Sequence, residues 1–420
     1  MWETLRNVWR VPELRKKVLY TFFMLLIFRL VSAIPTPGVR PISLEGMGVF
    51  DLMNMMSGGS LSQMTIMAMG ITPYINSSII MQLLTIAIPA LERMSRDEEG
   101  GREKIQRISR YVTVALAAIQ AIGLVAGLGY IKTGWLNYVL VGVSMAGGTA
   151  LAMWIGERIT DKGIGNGISL LIFAGIISNL FNGIISLLST AITTGTASAW
   201  IAVLSIIVVA LVMTVVVTFI DLGERRIPLQ IAKQVKGRRV YGGQNTHMSL
   251  KVVSVGVLPM IFAYSFLAFP GTLIQLIGGT SSNAYIWWMT YMNSGSVWYM
   301  IISALLIVAF TFFYSSISFD PKKQAEQLVQ QGAVIPGTRG KNIQKYLQNT
   351  VNRLNLFAAL FLAVLAAVPT LLTSGLNAQV PFAASSILIG VSVALEFIRT
   401  IQGEMSIRGI DMDMENGGFM

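Results

Sequence analysis

The sequence contains no cysteine and a single histidine, His247. It therefore has no disulfide framework, no thiolate nucleophile and no cysteine-bound metal, and one imidazole cannot assemble a zinc or haem site alone. Charge is scarce as well: Asp, Glu, Lys and Arg make up 12% of the 420 residues, about half the share usual in soluble domains. A P-loop is absent, because Gly340-Lys341 is followed by Asn342 and lacks the preceding glycine pattern. Arg29 is nearly the only ionisable residue inside an apolar stretch, with Glu157, Asp221 and Glu396 near stretch ends. Ion-coupled carriers rely on such residues, so this scarcity argues against one. The paired His, Asp or Ser groups that an intramembrane hydrolase needs at depth are missing too. Any energy source must come from outside the chain.

What is present is apolar. Hydrophobic residues account for 54% of the chain, and mean hydropathy is +0.65. A soluble domain of this length needs a wet outer shell, so the composition reads as a polytopic membrane protein with lipid as part of its solvent. Ten stretches approach the ~20 residues of a crossing helix. They are 18–34, 71–91, 111–131, 138–155, 168–188, 200–220, 252–277, 297–319, 354–372 and 380–397. The first lacks a small-residue cleavage site and runs into Pro35-Thr36-Pro37-Gly38, so no cleavable signal peptide is expected.

The basic residues sort by side. Of the 31, 28 fall in the termini and in the loops after even-numbered stretches; the opposite loops hold only Arg40 and Lys132. This positive-inside asymmetry predicts cytoplasmic termini and an even number of spans, and it explains most of the +11 net charge. Two cytoplasmic loops, 221–251 and 320–353, are more basic than orientation requires and carry Gly237-Arg238-Arg239 and Gly337-Thr338-Arg339-Gly340. They either only fix topology or dock an anionic partner such as RNA or an acidic motor protein. Ten spans divide into five and five. Because five is odd, the halves can be inverted about an axis in the membrane plane, although no residue-by-residue repeat is visible.

Three local features stand out. Residues 47–69 hold seven of the 23 methionines (Met47, Met53, Met55, Met56, Met64, Met67 and Met69) together with Ser57-Gly58-Gly59-Ser60. The stretch is too polar to span and too apolar to float. It suits either a half-helix folded into a protein cavity or a helix lying at the interface. Isolated amides at Asn76, Gln82 and Gln120 are either ordinary cross-helix glue or points where helices part. Gly163-Ile164-Gly165-Asn166-Gly167 follows an apolar helix, not a strand, so it reads as a tight turn with Asn166 or Ser169 near the start of the next helix.

These residues resemble the SecY family, the channel subunits of the bacterial protein-export translocase. The resemblance rests on Ile34-Pro35-Thr36-Pro37-Gly38, Met53-Asn54-Met55-Met56-Ser57-Gly58-Gly59, Gly70-Ile71-Thr72-Pro73-Tyr74-Ile75 and Gln82-Leu83-Leu84, then on Gly163 through Ser169 and Gly237-Arg238-Arg239-Val240-Tyr241. It covers essentially the whole chain and is weakest after Gly403. It implies an all-α membrane protein of ten transmembrane helices in two inverted pseudo-symmetric halves, 1–190 and 191–403. The halves form an hourglass channel with a plug half-helix, and 404–420 is a cytoplasmic tail. The implied pore ring is Ile71, Ile75, Ile168, Ile172, Ile261 and Ile389. Such a constriction of branched apolar side chains dewets, and it makes no fixed hydrogen bonds, so any side chain can slide through.

The implied plug is about 57–67, with Met56, Ser57, Gly58, Gly59, Ser60, Leu61 and Met64 named for it. Asn76, Gln82, Gln120 and Phe269 match positions of a lateral gate between spans two and three on one side and seven and eight on the other. Arg238, Arg239 and Arg339 match contacts to the ATPase SecA or the ribosome. The resemblance further implies a SecE subunit clamping the halves, a peripheral SecG, an unfolded polypeptide as substrate, and the bacterial plasma (inner) membrane as location. It implies no catalytic residue, cofactor or metal. Three rivals differ in testable ways: a solute carrier shows solute uptake, a lipid-modifying enzyme loses activity at one polar residue, and a non-conducting insertase scaffold does not leak when 57–67 is removed.

Overall fold

The computed structural model describes residues 9, 11–39, 41, 54, 57–96, 100–128, 135–231, 234–236, 239–241, 245–253, 255–256, 258–278, 282–292, 296–337, 341–376 and 384–407. Each of the ten expected spans coincides with a helix. In chain order these are α1 (Pro12–Ser32), α2 (Thr72–Ala87), α4 (Gly101–Leu128), α5 (Trp135–Lys162), α6 (Gly167–Thr194), α7 (Ala197–Leu222), α8 (Leu258–Gly278), α10 (Val297–Ser318), α12 (Lys341–Leu376) and α13 (Ala384–Ile407). Among the described residues, three shorter helices with full bounds lie between them: α3 (Pro89–Arg96), α9 (Asn283–Tyr291) and α11 (Pro321–Gln330). Among the described residues, seven helices are long and apolar enough to cross a membrane; α2 with α3, bent by 106° at their break, makes an eighth candidate.

Local chemistry sets the helix ends. Pro12 and Pro321 open α1 and α11 at positions where a missing N–H costs nothing. Asp320 caps α11 by accepting from the N–H groups of Lys322 and Lys323. The polar turn before α6 behaves as expected, with Asn166 Oδ1 accepting from Ile168 N (3.0 Å) and Ser169 N (3.3 Å). At its other end α6 runs to Thr194 and stops at Gly195, whose left-handed φ of 61° ends the helix before Thr196 starts α7. The junction expected after residue 190 thus falls inside the last turn of α6.

Packing sorts the ten long helices into two groups. In the first, α1 packs on α5 and α6, α4 on α2 and α5, and α5 on α6. In the second, α10 packs on α8 and α12, and α13 on α7 and α12. The groups meet along two seams, one where α8 lies against α2 and α4, the other where α6 lies against α7 and α13. Polar bonds hold neighbours in register: Ser77 Oγ donates to the Ser109 carbonyl (2.8 Å) between α2 and α4, and Asn355 Nδ2 to Ser315 Oγ (2.6 Å) between α12 and α10. The outward faces are greasy, with Leu204, Leu211, Val215 and Phe219 of α7 all exposed, as lipid requires.

The two long basic loops are not loops. The first forms β1 (Glu224–Ile231), β2 (Gln234–Lys236), β3 (Arg239–Tyr241) and β4 (Asn245–Lys251), and the second contributes β5 (Ala333–Val334). Their sheet runs β4-β1-β5, antiparallel throughout, with β2-β3 a separate hairpin. One face buries Ile227, Leu229 and Leu250 against Leu328 of α11 and Ile343 and Leu347 of α12. The helical membrane fold therefore carries a small sheet-and-helix unit at one end.

Candidate functional site

Ile71 is the N-cap of α2, and Ile75 and Ile79 follow at intervals of four residues, which puts all three on one helix face. Ile168, Ile172 and Ile176 repeat that spacing on α6. Ile261 comes from α8 and Ile389 from α13. The structure brings the six expected ring residues together. Ile71, Ile75, Ile172, Ile261 and Ile389 lie in one buried cluster, each 5–6% exposed, with half-buried Ile168 packed against it. Two helices of each group contribute. The cluster is wider than six residues: Phe28 of α1, Ile155 and Ile159 of α5, and Phe262 of α8 join it, as does Met67 from the stretch before α2.

That stretch lies against the ring. Residues 57–71 run as turns interrupted by a bridge of Thr65 to Pro35, which corrects the expectation of a helix over 57–67. The cause is local: Gly58 and Gly59 both take positive φ (71° and 86°), and so does Met64 (50°), so no regular helix can pass through them. The Met64 conformation costs on the order of 1–3 kcal/mol in a residue with a side chain. It is held in place by tertiary bonds, with Thr36 N donating to the Met64 carbonyl (2.9 Å) and Ile66 N to the Ile34 carbonyl (2.9 Å). Leu61, Met64, Ala68 and Met69 fill a second buried cluster with Leu124 and Val125 of α4, Met145 of α5, Leu267 of α8 and Tyr299 of α10. The turn segment thus touches both helix groups. Of the expected plug residues, Ser57, Ser60, Leu61 and Met64 are buried, Gly58 and Gly59 half-buried, and Met56 lies outside the described residues.

The expected gate amides lie on α2 (Asn76, Gln82) and α4 (Gln120), the two helices that α8 packs against. Asn76 and Gln120 are buried and Gln82 is half-buried. The amide oxygens of Gln82 and Gln120 are enclosed without a hydrogen-bond partner. Pro270 sits inside α8, where a helix loses a backbone bond. Phe269 lies on α8 with its side chain outside the described residues. Edge-to-face contacts of Phe262 with Phe310 and Tyr314, and of Phe266 with Phe310, tie α8 to α10 along this edge. On the other seam, an apolar cavity of about 330 Å³ opens among α6, α7 and α13, beside Phe173 and Gly390.

Of the expected partner-binding arginines, Arg239 lies on β3 with its side chain outside the described residues, and Arg238 and Arg339 lie outside them altogether. Arg225 and Arg226 on β1 are exposed. Among the described residues, no group of three or more His, Asp or Glu could hold a metal ion.

Sequence reasoning placed Met67 in the plug range but not in the ring cluster, and did not single out Gly148 or Asn179. At Gly148 of α5 the Ile66 carbonyl rests on the Cα, in the space a side chain would take. The pair Gly147-Gly148 inside an apolar span was the available signal.

The family model for SecY matches residues 65–398. The protein translocase subunit SecY of Streptomyces scabiei is 38% identical over 430 residues, covering 96% of this chain and 98% of that one. Its counterpart in Aquifex aeolicus is 37% identical over 422 residues, covering 96% and 97%. In fold the chain is similar to a structure described as "The structure of a protein conducting channel", with a TM-score of 0.70, 19% identity and coverage of 98% and 99%. It is similar in the same way to Sec61 in the canine ribosome-channel complex from the endoplasmic reticulum, with a TM-score of 0.67, 17% identity and coverage of 98% and 99%.

Proposed function

We propose how this chain works from one premise: it belongs to the SecY family, and it is a multi-pass membrane protein that forms a protein translocation channel. The six isoleucines form the pore ring, and the turn segment 57–67 is the plug that seats on it. The observation that carries this reading is the single buried cluster uniting Ile71, Ile75, Ile172, Ile261 and Ile389 from four helices of two groups, with Met67 of the plug inside it. An aliphatic ring excludes water and ions when closed and offers a passing chain no hydrogen bond to catch on. The strained Met64 and the Met-rich packing suit a segment that must leave and return.

The groups correspond to the halves 1–190 and 191–403, which part along the seam of α8 with α2 and α4. A sufficiently apolar segment leaves there for lipid, driven by ~25 cal/mol per Å² of apolar surface removed from water. The unpartnered oxygens of Gln82 and Gln120 weaken the closed seam. The basic sheet-and-helix unit, with Arg238, Arg239 and Arg339, faces the cytoplasm as the positive-inside pattern directs and receives the ribosome or SecA. The ribosome-bound Sec61 relative supports the first of these. SecE and SecG complete the assembly in the bacterial inner membrane, both termini are cytoplasmic, and no covalent step is assigned to this chain.

The natural absence of cysteine supplies the test. Cysteine is placed at Ile75 or, separately, at Val364, an exposed residue of α12. A stalled secretory precursor carrying one cysteine is expected to crosslink at position 75 and not at 364. Export by the same membranes without a crosslink at 75 would remove the ring from the path.

A further inference from the structure

Arg29 is the one charge in the apolar run of α1, and neither the ring nor the gate uses it. An ionisable side chain at membrane depth is costly enough to demand a role. Its Nη2 donates to the Ala174 carbonyl (2.7 Å) and, more weakly, to that of Gly175 (3.5 Å), both on α6. Among the described residues no carboxylate pairs with it. The Nη1–Nη2 edge of the same guanidinium abuts Gly58 of the plug. A Cβ at Gly58 would stand 2.7 Å from Nη2 and 2.9 Å from Cζ, so a side chain there would push the guanidinium out of this position.

One turn further along α6, Asn179 Nδ2 donates to the Asn54 carbonyl (2.8 Å). That carbonyl also accepts from Gly59 N (2.8 Å) and Ser57 Oγ (3.0 Å), and Asn54 Oδ1 accepts from Ser62 N (2.9 Å). Residues 174–179 of α6 are therefore where two polar side chains, one from α1 and one from α6, meet the entry turn of the plug. Beyond it, Leu61, Met64, Ala68 and Met69 pack on apolar side chains, and directional bonds return at the far end of the segment, from the backbone of residues 34–36 to Met64 and Ile66.

We propose that Arg29 and Asn179 are positioning residues of the plug, a polar latch on α6 that holds residues 54–62 over the ring and that must open before the plug leaves. The latch rests on the plug reading and adds its mechanism. Arginine suits it because a rigid fork of several donors lets one nitrogen bond the α6 carbonyl while the edge of the same fork stands against Gly58. In the enclosed site such bonds are also stronger than in water.

The test uses Leu61→Cys, which puts the only thiol of the chain at a position that is 0% exposed when the plug is seated. A membrane-impermeant maleimide is applied to the plug side of the assembled translocase in membranes. Adding Arg29→Gln or Asn179→Ala is expected to speed labelling at least tenfold, equivalent to about 1.4 kcal/mol, and Arg29→Lys by less. Gly58→Ala should also speed labelling, and its effect should shrink in an Arg29→Ala background, because the clash partner is gone. A residue that merely stiffened α1 against α6 would leave the two substitutions additive. If a stalled precursor exposes the thiol but both latch variants label at the parental rate, the latch is wrong and the plug reading stands. If a stalled precursor never exposes it, the plug reading falls and takes the latch with it.

Discussion

Truncating Ile75 to alanine tests whether the aliphatic cluster is a seal or an ordinary core. Ile75 is 6% exposed and sits among Ile71, Ile172, Ile261 and Met67. The substitution removes three carbons, worth ~2.4 kcal/mol of transfer energy at ~0.8 kcal/mol each; any cavity that fails to collapse brings the cost into a range of about 2–5 kcal/mol. If opening hydrates the ring, this loss falls on the closed state alone and shifts the closed-to-open ratio about fiftyfold. Resting ion conductance of the purified translocase in planar bilayers should rise accordingly, and Ile75→Val should give a smaller rise. Ile343→Ala is the control. Ile343 is 2% exposed in the core between the sheet and α12, so its truncation should lower thermal stability comparably and leave conductance at rest. Equal conductance changes from the two substitutions, or a drop in stability at Ile75 with no added conductance, would refute the seal.

Three further outcomes are expected. Gly148→Ala places a methyl where the Ile66 carbonyl rests, an overpacking cost of about 1–3 kcal/mol that should unseat the plug and raise resting conductance; Gly147→Ala, with nothing within 4 Å of its new Cβ, should not. Replacing Gln120 or Gln82 with leucine removes an enclosed oxygen that has no partner, which should stabilise the closed seam by about 1–3 kcal/mol and lower the membrane insertion of a marginally apolar test segment; unchanged insertion would separate these amides from gating. Where α1 meets α13, Leu14 is fully buried with Ile164, Ile401 and Met405, while Lys17 pairs with Glu404 at 2.6 Å and 36% and 24% side-chain exposure. Leu14→Ala should cost ~2–5 kcal/mol and Glu404→Gln less than ~1 kcal/mol in thermal unfolding, and the reverse order would mean that charge, not packing, joins the two helices.

What could be read from the sequence follows how local each cause is. The ten helices were legible because lipid imposes their length and composition residue by residue. The Ile71/Ile75 and Ile168/Ile172 spacings were legible as shared faces, but not as faces of one cluster, since only the approach of α2, α6, α8 and α13 decides that; the family resemblance supplied it. The sheet was missed for a similar reason. Its buried face on β1 rests on Ile227 and Leu229, which flank a proline that reads against a strand, and β5 arrives from the other long loop to complete it.

The plug divides along the same line. Its methionines announced burial, yet its turn backbone depends on Thr36 reaching the Met64 carbonyl across 28 residues of sequence and on a guanidinium of another helix standing against Gly58. In the proposed seal, aliphatic side chains exclude water through surface alone, which composition reports. Where the proposed plug sits is a question of direction, and on that reading direction comes from a few donors, the backbone carbonyl of Asn54 and glycines at close approach. A channel whose seal is indifferent to what passes must therefore keep its register in a handful of polar contacts. Those contacts are the part of the mechanism that no count of residue types can reveal.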